Sequence, residues 1–155
     1  MTDDVAALSE ELVAARAEFL SALEAVPPAR LDAAGLVGEW NGRELVAHLG
    51  YWAGHAVEVI HAVEIGRDAE VVDGPSVDER NATVARIARQ TDLATARKRE
   101  AASAQALLER LAAIDPALLS QSLPDGASLA QGIREDGAEH YREHTADLRS
   151  TVENR

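Results

Sequence analysis

Cysteine is absent from this 155-residue chain, and the absence removes disulfides, thiolate nucleophiles and Cys-ligated zinc together. Any tightly held metal must rest on histidine and carboxylate ligands, and thiol chemistry must draw on an external thiol. Positive charge is scarce. The 15 Lys and Arg face 27 Asp and Glu, and the formal net charge of -12 repels phosphate backbones and anionic lipid. Neither nucleic acid nor a membrane is therefore an expected partner. No apolar run approaches the roughly 18 residues of a membrane span, and Met1-Thr2-Asp3-Asp4 is acidic where a secretory leader is basic. A cytoplasmic protein is expected. Aromatic residues make up 3% of the chain against 46% hydrophobic overall, so the core must be built from Ala, Leu and Val, a composition that favours helix over strand.

The length fits one domain, 1–155, with a single core. Three capping signatures mark helix starts: Asn41 with Glu44, Ser76 with Glu79, and Ser128 with Gln131. An amphipathic first segment carries Val5, Leu8, Leu12, Phe19 and Leu23. The expected fold is all-α, a four-helix bundle with helices near 3–26, 41–66, 76–114 and 128–151. Pro27-Pro28, Gly66, Gly74-Pro75, Pro116 and Pro124-Asp125-Gly126 punctuate the connections. These connections are long for a simple up-down bundle, which points to one or more crossovers. The third helix is expected to bend near Thr91-Asp92. The basic run Arg97-Lys98-Arg99 reads as a solvated helix face.

Histidine carries the chemistry. His140 and His144 stand four apart, so one helix presents both imidazoles to a shared point. An isolated H-x-x-x-H is more often a surface pair or a partner of the helix C-terminal dipole. Here, however, Ile133, Gly137, Tyr141, His144, Leu148 and Val152 make one apolar stripe with His140 at its edge. On the second helix Leu45, Leu49, Trp52, Ala56, Val59, Ile60 and Val63 form the apolar face, with His48 on its margin. Three inward imidazoles can satisfy their lone pairs on one divalent cation and leave a coordination position open. His55 lies about 10 Å further along the helix axis, too far to join, and reads as a pocket-rim or capped histidine. His61 falls on the polar face.

Four of the five aromatic residues, Trp40, Tyr51, Trp52 and Tyr141, flank the histidine-bearing segments. Trp40, Trp52 and Tyr141 are candidate pocket walls, although the two tryptophans can equally plug a thin, Ala-rich bundle end. Asn81 interrupts the stripe Val77, Val84, Ala88, either reaching a pocket or, as the favoured reading, bonding between helices. Asp136, one turn before His140, and Glu143 are candidates to orient a ligand ring or to act as general base, against the commoner outcome of surface carboxylates.

The run Gly38-Glu39-Trp40-Asn41-Gly42-Arg43-Glu44-Leu45-Val46-Ala47-His48-Leu49, followed some ninety residues later by Glu139-His140-Tyr141-Arg142-Glu143-His144, resembles the DinB-like/YfiT-like superfamily. The resemblance covers essentially the whole chain in order. It implies a four-helix bundle of crossed-over, up-down-down-up topology. It also implies a divalent metal, often nickel, zinc or iron, on three histidines that map to His48, His140 and His144. Family members include putative metal-dependent hydrolases and transferases that use an external thiol such as mycothiol or bacillithiol. The expected function is accordingly that of a metal-dependent enzyme activating water or a low-molecular-weight thiol against a small electrophile, in a stress or detoxification role. The alternative is a non-catalytic bundle that binds or sequesters a small molecule or toxin. A homodimer is expected from the resemblance and from Ala-rich helix surfaces able to pack closely.

Overall fold

The computed structural model describes residues 4–153. Seven α-helices follow in order: α1 (Val5–Glu24), α2 (Pro28–Leu31), α3 (Gly42–Glu64), α4 (Val77–Ala88), α5 (Leu93–Ala113), α6 (Leu129–Asp136) and α7 (Ala138–Glu153). Short 3-10 turns sit at Asp68–Val72 and Pro116–Ser120. Among the described residues there is no β-strand, only isolated bridges at Val37–Trp40 and Ser122–Ser128. The all-α expectation holds. Residue 3, where the first helix was expected to start, lies outside the described residues.

Local chemistry places the helix starts. Asn41 and Ser76 form reciprocal capping boxes with Glu44 and Glu79, satisfying amide groups that the first turn leaves unbonded. Ser128 accepts from the Gln131 amide, but the Gln131 side chain turns to Glu135 and Glu139 and does not bond back. Two of the expected long helices are broken. The third ends at Ala88, and Asp92 starts a new helix by accepting from the Thr95 amide at 2.7 Å. An aspartate at that position can cap as well as bend, and capping wins. The last helix stops at Asp136, because Gly137 leaves helical geometry (φ -113°, ψ -105°) before α7 resumes. A Cβ at Gly137 would stand 2.9 Å from the Ile133 carbonyl oxygen, so the break requires glycine.

The apolar stripe expected on α3 is buried throughout, and Leu8, Leu12, Phe19 and Leu23 of α1 pack in the same core. α3 lies against α5, and α1 against α7. Where α3 meets α5, Gly50 faces Glu100: a Cβ on Gly50 would come within 2.9 Å of the Glu100 Cα. Glu100 is 1% exposed and takes a two-pronged ion pair from Arg16 of α1, with N–O distances of 2.7 and 2.8 Å. The Tyr141 hydroxyl of α7 donates to the same carboxylate at 2.8 Å. Such a group is costly to bury unless fully partnered, so the three helices are locked in register around it.

The close approach makes a prediction. Gly50→Ala should destabilise the fold by about 1–3 kcal/mol, because backbone on the facing helix cannot yield. Gly54→Ala, one turn on, meets only Ser103 Oγ at 3.6 Å and should be neutral or stabilising. Urea unfolding of the two variants checks this, and equal effects would contradict it.

Candidate metal centre

His48 reaches inward from the first half of α3, and His140 and His144 from the first half of α7. Tyr141, between them on α7, is fully buried and donates its hydroxyl to Glu100. The three side chains bring one nitrogen each within 4.8 Å of one another. His48 Nε2 lies 2.8 Å from His140 Nε2, which lies 3.2 Å from His144 Nε2. Tetrahedral ligation at 2.0–2.1 Å asks for nitrogens about 3.3 Å apart, close to the 3.2 Å pair and somewhat wider than the 2.8 Å pair, so the group could hold a small divalent cation.

Protonation states fit as well. Burial, reinforced by His140 and His144, pushes the His48 imidazole down to about 3, and burial with His144 alongside lowers His140 to about 4. Both rings are thus neutral at ordinary pH, the form that ligates. His144 Nδ1 lies 3.0 Å from Asp147 Oδ2; its Nδ1–H donates to that carboxylate, which leaves the Nε2 lone pair facing the other two rings. His48 Nδ1 and His140 Nδ1 are buried without a hydrogen-bond partner. The His48 ring also meets the Asn81 side chain, a contact that opposes the fall in its pKa.

Trp40 leans on this cluster, with ring centroids 4.3 Å from His48 and 6.3 Å from His144. Trp52 donates from Nε1 to Asn81 Oδ1 at 2.8 Å, pinning α4 to α3, the interhelical role favoured for Asn81. Trp40, Trp52, Asn81 and the three histidines line a cavity of about 420 Å³, together with Val77, Glu135, Asp136 and Glu143. Tyr141 does not join them. It is fully buried, and burial beside the Glu100 carboxylate raises its hydroxyl pKa. His61 is exposed.

Asp136 does not hold a ring of the cluster. Its Oδ2 pairs with His55 Nδ1 at 2.6 Å, and burial raises its carboxyl pKa although His55 opposes the shift. His55 lines the neighbouring cavity and not the one beside the cluster. Glu143 stands on the exposed rim. The carboxylate that holds a cluster ring is Asp147, which sequence reasoning missed. Its signal was available: in His144-x-x-Asp147 the two residues are three apart on one helix face.

A second cavity of about 350 Å³ adjoins the first and shares Trp52, Val77, Glu135 and Asp136 with it. The arrangement offers a neutral nitrogen triad, an aromatic flank and a carboxylate–imidazole pair on one connected surface.

Residues 11–148 match the family model described as DinB superfamily. The structure is similar to the crystal structure of an uncharacterised protein from Escherichia coli UTI89, with a TM-score of 0.77 at 15% identity over 99% of this chain and 95% of that one, a likeness of fold. No curated protein matches the chain. No described helix is long and apolar enough to cross a membrane.

The buried histidines make metal-free stability pH-dependent. Native His48 and His140 take up protons only near pH 3 and 4, whereas the unfolded chain does so near 6.5. Between those limits the unfolded state binds more protons, so stability should rise with pH from about 3 to about 6.5. Chemical denaturation of His48→Gln across this range should give a shallower slope than the parent; identical slopes would show that His48 is not buried in its neutral form.

Proposed function

The chain belongs to the DinB superfamily, and we propose that it is a metal-dependent enzyme in which His48, His140 and His144 hold a divalent nickel, zinc or iron ion. The observation that carries this reading is the convergence of three Nε2 atoms from two helices. When bound, such a cation supplies Lewis-acid activation of water or of an external thiol such as mycothiol or bacillithiol. The protein's own groups do the rest. Asp147 fixes the tautomer and orientation of His144. Trp40 covers one side of the imidazoles and limits water there. Asp136, kept in a low-dielectric wall and paired with His55, receives the proton that the attacking water or thiol gives up. Glu143, on the rim, is a second acceptor. The substrate is a small electrophile lodged in the cavity beside the histidines. We read α1, α3, α5 and α7 as the principal helices of a crossed-over four-helix bundle.

Chelation followed by add-back tests this reading. Turnover of an electrophile panel, followed with and without added thiol, should vanish on chelation and return with one of the three metals. Consumption of the thiol separates S-transfer from hydrolysis. Activity that survives chelation would contradict the proposal, and capture of one equivalent without turnover would favour the sequestering alternative.

A further inference from the structure

The second cavity has no part in holding a metal, yet its composition is specific. Its walls are mostly apolar, with Ala56, Val59, Val71, Leu123 and Ile133 facing Trp52. Four carboxylates, Asp68, Asp125, Glu135 and Asp136, line it against one guanidinium, that of Arg80, and the imidazole of His55. Both of these groups are already engaged within the protein. Arg80 spends its guanidinium on the Pro75 carbonyl at 3.0 Å, the Tyr51 hydroxyl at 3.0 Å and the Asp73 carbonyl at 3.3 Å. His55 turns Nδ1 to Asp136. An anionic ligand would meet four carboxylates against a single guanidinium already bonded to three neutral oxygens, whereas a cation on an apolar body finds hydrophobic contact and an excess of negative charge together.

We propose that this cavity binds the apolar body of a positively charged small molecule, its cationic group among the lining carboxylates Asp68, Asp125 and Glu135 and its apolar body extending past Trp52 and Val77 towards the histidine cavity. The inference rests on the proposed function only in treating the histidine cavity as the reactive end; occupancy of the second cavity itself requires no metal. Val77, 59% exposed and shared by both cavities, marks the passage between them. Asp136 lines both cavities, and His55, which lines the second, bonds to its carboxylate.

Isothermal titration with 4-phenylbutylamine, 4-phenylbutanol and 4-phenylbutyrate, three probes of one shape and different charge, tests the assignment. Protein as purified and protein after chelation should both bind the amine about tenfold more tightly than the alcohol, with the carboxylate weakest in the chelated sample. Raising salt should narrow the gap, since the rim is solvent-exposed. The triple variant Asp68→Asn, Asp125→Asn, Glu135→Gln, all away from the core, should bind amine and alcohol alike. Val59→Phe, and Val71→Phe at a half-buried position should the first not fold, should weaken all three probes while metal uptake is unchanged. Equal affinities in the parent, tighter binding of the carboxylate by chelated protein, an amine preference that survives the triple variant, or no binding of any probe would each overturn the inference. Because the chelated arm needs no metal, amine binding by a protein that takes up no metal would sink the enzymatic reading and leave this one standing.

Discussion

The Glu100 carboxylate, buried on α5, has to be answered from several directions at once, and the answers build the molecule. Arg16 comes from α1 and Tyr141 from α7, while Gly50 lets α3 lie against the backbone beneath it. Removing one partner of such a buried group typically costs several kcal/mol, about 3–5 for a broken buried pair. The consequences reach the candidate centre directly. His140 and His144 flank Tyr141 on α7, so the bond from Tyr141 to Glu100 fixes the helix that carries both imidazoles. His48 lies two residues before Gly50, so the same close contact sets its height along α3.

The cluster in turn imposes a second constraint. Three neutral imidazoles with nitrogens 2.8 and 3.2 Å apart cannot all satisfy their lone pairs on one another, because each shared contact accommodates at most one N–H. Asp147 settles the tautomer of His144 but not that of the other two, whose outer nitrogens have no partner. A cation shared by the three rings would give their inner lone pairs a common acceptor, and the lowered pKa values of His48 and His140 keep those two rings in the neutral form that ligation needs.

Much of this was legible in the sequence because it depends on periodicity. The i, i+4 spacing of His140 and His144, the place of His48 beside the apolar face of α3, the polar position of His61 and the capping boxes at Asn41 and Ser76 all follow from local rules. What escaped depends on choices that local rules leave open. Asp92 can bend a helix or begin one, and Gly137 can continue a stripe or break it; only the packing around Ile133 decides the latter. Tyr141 shares a helical stripe with His144, but its hydroxyl seeks Glu100, a residue that sequence places in a charged helix with nothing to mark it as buried. Asp136 was close to His140 along the chain, yet a histidine eighty-one positions earlier claims it.

Metal content is the most direct test of the central claim that the three imidazoles form one binding site. Untagged protein, purified without immobilised metal, is compared with His140→Ala by elemental analysis, each before and after reconstitution. The account predicts near-stoichiometric nickel, zinc or iron in the parent and its loss in the variant, with both proteins folded. Metal absent from the parent even after reconstitution, or retained equally by the variant, would contradict it.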